Sequence, residues 1–267
     1  RRGVEGNYAA MPPSCNHILI TGASRGIGAA LARVYAEPGR RLGLTGRDAT
    51  ALEAVADTAR GRGAEVTTTV LDIRDFAAVQ HWVETAEATA PVDLAVANAG
   101  INRPDDPPGI APSNLEELVA TNLMGTAHLV SAVLPAMLAR GRGQLALVSS
   151  LAGIQGFGGM ASYGATKAGI RAYGQALRGD LRAQGIRVSV VCPGFVDTAM
   201  AAQVQGSKIG QWNVDRAARF IRRGLGRDRG LVAFPPLEAL GVRILGVLPG
   251  LLLDPISRTF RYRVGER

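Results

Sequence analysis

Short apolar runs alternate with helix-patterned stretches through the first two hundred residues of this chain. That alternation is the strongest constraint on what it can fold into. Strands are expected at His17–Thr21, Arg41–Thr45, Glu65–Leu71, Asp93–Asn98, Gly143–Ser149 and Arg187–Val191, with a last one at Leu231–Phe234. Helices are expected between them, over Gly26–Ala36, Ala49–Gly61, Phe76–Ala90, Asn114–Arg140 and Ser162–Gln184. Repeated βα units imply a parallel sheet with helices on both faces. At 267 residues the chain can bury one large core but is too short for two full-sized α/β domains. With no fixed-period repeat and no low-complexity linker, a single doubly wound α/β domain is the economical reading.

Charge is unevenly placed. The chain has two lysines, Lys167 and Lys208, and a net charge of +8. Residues 216–267 hold 11 arginines against four acids, so +7 of that charge lies there. The basic character belongs to the tail and is not a general nucleic-acid signal; no nucleic-acid partner is expected. Two cysteines far apart in sequence, Cys15 and Cys192, suit a reducing cytoplasm better than a disulfide framework. The start has no long apolar run before Ile18 and does not read as a signal peptide. Met11 is a candidate start, with Arg1–Ala10 then a tag or floppy leader; residues 1–16 as a whole read as a flexible leader or tag ahead of the domain.

The stretch "ILITGASRGIGAALARVYA" follows a strand and opens a helix. Its glycines, Gly22, Gly26 and Gly28, are spaced G-x3-G-x-G rather than G-x-G-x-x-G. Glycines let a backbone turn tightly and approach a pyrophosphate, and the helix N-terminus offers free N–H groups and a positive dipole end. A glycine-rich turn with no ligand is the alternative.

Further on, Tyr163 and Lys167 lie four residues apart, on one face of a helix. An ammonium near a phenol lowers its pKa from about 10 and makes it usable as a general acid/base. Ser150 stands thirteen residues before Tyr163, at the end of an expected strand, where an open α/β sheet binds its ligands. Its hydroxyl could hold a carbonyl oxygen next to Tyr163; neighbouring Ser149 is the alternative.

These blocks occur in order with "VANAG" (Val96–Gly100), "TNLMG" (Thr121–Gly125), "LVSSLAG" (Leu147–Gly153), "SYGATK" (Ser162–Lys167) and "VCPGFVDT" (Val191–Thr198). From about His17 to Thr198 the chain resembles the short-chain dehydrogenase/reductase family. The resemblance implies a Rossmann-like domain over residues 17–235 with a seven-stranded parallel sheet flanked by helices, and 236–267 as an apolar, arginine-rich extension of it. It implies Tyr163 as catalytic acid/base, Lys167 as the ribose-binding residue that depresses its pKa, and Ser150 as the group orienting the substrate oxygen. Asn122 would hold a water in a proton relay, or simply brace its helix. The cofactor-binding set would comprise Gly22, Ser24, Arg25, Gly26, Ile27 and Gly28 of the glycine stretch, with Arg47 after the second strand. Asp72 and Ile73 would sit at the adenine, and Asn98, Ala99 and Gly100 near the adenosine ribose. Pro193, Gly194, Val196 and Thr198 would lie around the nicotinamide, beside Tyr163 and Lys167. "VANAG" departs from the family's usual pair of asparagines, since Ala97 replaces the first; bracing of the central strand is an equal reading of Asn98. Cys192 reads as a small buried hydrophobe, and no metal site is expected.

Cofactor selectivity turns on the end of the second strand, "LGLTGRD" (Leu42–Asp48). A carboxylate there holds the ribose 2′-hydroxyl of NAD. Here the position falls on Gly46, and Asp48 reads as the N-cap of the next helix. Arg25 and Arg47 are placed to meet a 2′-phosphate, which suits a planar guanidinium. The resemblance therefore implies NADP.

The reaction implied is hydride transfer between the nicotinamide and a carbonyl/alcohol carbon. Ile154, Phe157, Met160, Met200, Ile209 and Trp212 are candidate lining residues and suggest an apolar small-molecule ketone or aldehyde. A 3-oxoacyl-thioester reductase and a catalytically idle NADP-binding scaffold are the alternatives. The tail, Leu231–Arg263, is apolar but too broken by Pro235, Pro236, Arg243, Pro249 and Asp254 to span a membrane. Three uses are open to it: capping the substrate site and packing between subunits, peripheral docking on the inner face of a membrane, or receiving an acidic protein partner. The family's long helices imply a homodimer or homotetramer.

Overall fold

The computed structural model describes residues 15–105, 112–206, 208–249 and 262–265. Seven parallel strands run β1 (His17–Thr21), β2 (Arg41–Gly46), β3 (Glu65–Val70), β4 (Leu94–Ala97), β5 (Gly143–Val148), β6 (Ile186–Pro193) and β8 (Leu231–Phe234), in the order β3-β2-β1-β4-β5-β6-β8. The order reverses between β1 and β4, which opens a crevice at the carboxyl ends of the strands. The expected doubly wound, seven-stranded Rossmann-like architecture is the one observed.

The central strands are apolar because both their faces are covered, whereas the edge strand β3 is polar and partly exposed. Ile18 and Ile20 of β1, Leu94 and Val96 of β4, and Ala146 and Val148 of β5 belong to one core. That core is closed by α1 (Gly26–Tyr35), α2 (Ala49–Arg60) and α8 (Val214–Gly226). Their alternating neighbours Leu19, Ala95, Ala97, Leu145 and Leu147 face a second core, beneath α3 (Phe76–Thr89), α5 (Gly125–Ala139) and α6 (Ala161–Leu181). Asp48 does cap α2, accepting from the Ala51 N–H at 3.0 Å, and Asp75 caps α3 in the same way.

Two departures from expectation bear on the site. The helix expected over Asn114–Arg140 is not uniform: α4 (Pro112–Leu118) passes into one π-helical turn, Val119–Met124, before α5. A π turn inserts a residue without breaking the helical path, so hydrophobic periodicity does not reveal it. The helical run Ser113–Ala139 is long and apolar enough by composition to cross a membrane, yet α5 packs against β4 and α3 as a core helix. The second departure is in the tail. After β8 the chain forms α9 (Pro236–Leu245), and Arg263–Val264 (β9) pairs antiparallel with Val204–Gln205 (β7). The short helix α7 (Ala199–Ala202) precedes β7, so the tail returns onto the loop that follows β6. Residues 1–14 of the expected leader and 250–261 of the expected extension lie outside the described residues.

Candidate active site

A cavity of about 670 Å³ runs along the carboxyl ends of the strands, from the β2–β3 side to the β6–β8 side. At its first end the β1–α1 loop forms the floor. Gly22 has φ +65°, and a Cβ on Gly28 would lie 2.3 Å from the Gly22 carbonyl oxygen. The start of α1 therefore tucks beneath its own loop, which only glycine allows. Ser24, Arg25, Gly26 and Ile27 line the cavity, and the N-terminus of α1 receives no side-chain cap from Arg25. Its first N–H groups are thus left for an anion. Gly28 does not line the cavity; its part is this close packing.

Arg25 and Arg47 stand exposed at the same end, with no ion pair or hydrogen bond among the described residues. Nearby Asp72 is held by Arg74 through contacts at 2.6–3.0 Å, which lowers its pKa. A Cβ on Gly46 would sit 3.1 Å from Ser24 Oγ, so this strand end is crowded as well as uncharged. Asp72, Ile73, Ala99 and Gly100 continue the lining. Asn98 also lines it, but its amide donates to the carbonyls of Thr21 and Gly22 at 3.0 and 3.1 Å. Its side chain braces the glycine loop against β4. An NADP molecule fits this set: an uncapped helix end, glycines where a Cβ would collide, and two unpaired guanidiniums.

Ser150, Tyr163 and Lys167 meet in the middle of the cavity. Ser150 caps the short 3₁₀ turn Leu151–Gly153, accepting from the Ala152 N–H at 3.1 Å. The Ser149 hydroxyl is turned away into α6 and donates to the Lys167 carbonyl at 2.6 Å, so Ser150 is the serine that faces Tyr163. Lys167 Nζ donates to the Val148 carbonyl at 3.0 Å and lies 5.6 Å from the centroid of the Tyr163 ring. Burial raises the Tyr163 phenol to about 12, while the hydrogen bond with Ser150 pulls the other way. Burial also lowers Lys167 to about 8. In the free protein burial is the larger influence on both groups.

Asn122 sits in the π turn, fully buried, and does not line the cavity. Its Oδ1 accepts from the Ile101 N–H at 2.8 Å, and its Nδ2 donates to the Ile101 carbonyl and to Thr166 Oγ1. These bonds tie the β4 loop to α6 three residues after Tyr163. Asp105, unforeseen, accepts from the Ser162 N–H at 3.0 Å and so caps α6, whose N-cap residue Met160 offers no side-chain bond. Cys192 is fully buried, and burial raises its thiol to about 11.

At the far end, Pro193, Gly194, Val196 and Thr198 line one wall, with Phe157, Met160, Met200 and Ile209. Ile154 and Trp212 do not line it. Ile154 packs on the core formed by Leu151, Val190, Cys192 and Ala239, and Trp212 stacks on Phe234 with ring centroids 5.1 Å apart. An apolar residue next to a site carries no local mark of which way it turns. The wall is completed by residues the sequence reading missed: Phe195 after β6, Glu238, Val242 and Leu245 of α9, and Tyr262 before β9. Tyr262 packs edge-on to Phe157 and tilted on Phe195. Its backbone N–H donates to the Gly158 carbonyl at 3.0 Å, and a Cβ on Gly159 would strike its carbonyl oxygen.

A doubly wound sheet with a serine, tyrosine and lysine converging in one cleft, beside an uncapped glycine loop, defines a nucleotide-binding α/β protein with an acid/base centre. The family model for short chain dehydrogenases matches residues 16–208, and the chain belongs to the short-chain dehydrogenase/reductase family of oxidoreductases. It is 36% identical over 244 residues to an uncharacterized oxidoreductase of Myxococcus xanthus, covering 91% of this chain and 96% of the relative. It is 34% identical over 185 residues to the 3-oxoacyl-(acyl-carrier-protein) reductase of Escherichia coli K12, covering 68% and 74% of the two chains. Among solved structures, a short-chain dehydrogenase of Sphingobium yanoikuyae in complex with NADPH superimposes with a TM-score of 0.77 at 30% identity, covering 90% of this chain and 96% of the other.

Proposed function

We propose that the protein is an NADP-dependent reductase of apolar ketones or aldehydes. The observation that carries the reading is the convergence of Ser150, Tyr163 and Lys167 in one cavity whose other end presents two unpaired arginines. When bound, NADPH supplies the hydride to the carbonyl carbon. Ser150 and Tyr163 both hydrogen-bond the carbonyl oxygen, and Tyr163 gives it the proton that completes the alcohol. With a pKa of about 12, Tyr163 is protonated at neutral pH and is ready as an acid. Lys167 holds the ribose and stabilises the phenolate left behind; Asn122 and Asp105 fix the geometry from below. Arg25 and Arg47 grip the 2′-phosphate through charge-assisted hydrogen bonds.

The 3-oxoacyl-thioester alternative is supported by the Escherichia coli relative and differs only in substrate. An apolar wall of Phe157, Met160, Phe195 and Met200 supports the general carbonyl reading. The tail's described part lines the cavity, which supports capping as its use. We further propose a homo-oligomer assembled through the outer faces of α5 and α6, and a cytoplasmic location, which two buried free cysteines suit. The test is NADPH consumption, with NADH in parallel, across ketones, aldehydes and 3-oxoacyl thioesters of graded length. Turnover confined to the thioesters selects the alternative, and binding of NADPH without any turnover overturns the enzymatic reading.

A further inference from the structure

The far end of the cavity is mostly apolar, and Glu238 is the one charged side chain lining it among the described residues. Phe157, Met160, Phe195, Met200, Val242 and Leu245 form the wall, and Glu238 places a carboxylate among them. The two other lining carboxylates lie at the opposite end and are committed, Asp48 to the Ala51 N–H and Asp72 to Arg74. Glu238 has no hydrogen bond or ion pair among the described residues. Its oxygens rest against the Gly210 backbone, where a Cβ would overlap Oε1, so the loop after β7 comes close enough to hem the carboxylate in. Glu238 also lies in the first turn of α9, where a negative charge favours the helix. That interaction stabilises the helix but leaves the carboxylate's acceptor sites toward the cavity unfilled. A half-buried carboxylate in an apolar wall is costly unless a donor meets it when the site fills.

We propose that Glu238 is a specificity-determining residue. It accepts a hydrogen bond from a donor group, a hydroxyl or an ammonium, carried by the substrate away from its reacting carbonyl. The substrate class is then an amphipathic ketone or aldehyde, apolar along its length and ending in a donor. A carboxylate or phosphate at the same place meets like charge and is turned away. This rests on the reductase reading above and narrows it.

The test compares a medium-chain methyl ketone, its terminally hydroxylated counterpart and the corresponding keto acid. Wild type should reduce the hydroxyketone with kcat/KM roughly tenfold above the plain ketone, about the worth of one hydrogen bond to a charged group, and should exclude the keto acid. Glu238→Leu should bring the hydroxyketone-to-ketone ratio to about one. Glu238→Gln, which keeps the shape and the helix, should admit the keto acid. Calorimetric binding of the same three compounds to NADPH-loaded Tyr163→Phe protein repeats the comparison without turnover. A wild type that ranks them equally, or variants that change all three alike, overturns the assignment of Glu238. Discrimination in binding with no turnover in wild type instead overturns the reductase reading and leaves Glu238 its role.

Discussion

Lys167 donates its ammonium to the Val148 carbonyl at 3.0 Å and holds its charge 5.6 Å from the centroid of the Tyr163 ring. The lysine is thus anchored to the sheet, and both groups titrate as burial dictates. Carbonyl reduction needs Tyr163 protonated and Lys167 charged. With values of about 12 and about 8, reduction should be level through neutrality and decline above pH 8 as Lys167 loses its proton. Alcohol oxidation, which needs the phenolate, should climb with pH instead. The pH profile of kcat/KM in each direction reads this, and Lys167→Arg should erase the limb near pH 8 because a guanidinium stays charged. The lysine's folded pKa lies below its ordinary 10.5, so the unfolded chain binds that proton more tightly. Lys167 should therefore make stability rise from about pH 8 to about pH 9, measurable by urea titration; above pH 9 the gain is opposed by Cys15 and Cys192, whose thiols burial holds up at about 11.

Removing the Tyr163 hydroxyl should separate chemistry from binding. Tyr163→Phe takes away the proton donor while keeping the ring against the lysine. Turnover should fall by about 10²–10⁴-fold or more, the usual worth of general acid catalysis. NADPH affinity by fluorescence titration should stay within a few-fold. An active Phe variant is incompatible with the proposed role; an inactive wild type that binds NADPH equally well points to an idle scaffold.

The side chains of Arg25 and Arg47 make no hydrogen bond or salt bridge among the described residues, and Arg47 acts on Asp72 and Glu117 only through its charge, so replacing them should act chiefly on the ligand. The double Ala variant should bind NADPH more weakly by roughly 10- to 100-fold, as expected for charge-assisted bonds to a phosphate. NADH binding should barely change. Equal losses for both nucleotides would sink the NADP assignment. Gly28→Ala is the complementary test: its Cβ would lie 2.3 Å from the Gly22 carbonyl, so both nucleotides should lose affinity together.

Asp105 supplies the cap that α6 lacks locally. Asp105→Ala should cost about 0.5–2 kcal/mol of stability. Because Tyr163 follows within one turn, kcat should drop more than NADPH binding. Thermal unfolding together with steady-state kinetics decides it: a stability loss with kcat intact would make Asp105 a cap and nothing more.

The sheet was legible because its central strands are short apolar runs buried on both faces, as at Ile18–Leu19–Ile20, and the edge strand β3 is rich in β-branched residues. Asp48 was legible as a cap because capping is local. The pieces that were not legible are those made by distance. Asp105 reaches α6 across 57 positions, and Tyr262 meets Phe157 from the end of the chain. The π turn at Asn122 shifts the helical phase by one residue, too small a change to mark in the sequence pattern. Trp212 and Met200 look alike in sequence, yet one stacks in the core on Phe234 and the other faces the cavity.

The antiparallel pairing of β7 with β9 sets an order of events during synthesis. The glycine loop, Ser150, Tyr163 and Lys167 all leave the ribosome well before Tyr262 and Val264 do. A nascent chain can therefore assemble its cofactor cradle and proton donor while the outer wall is still missing. Substrate selection is the last property the protein acquires, and a chain ended early at α9 would keep its chemistry with an open, less discriminating mouth.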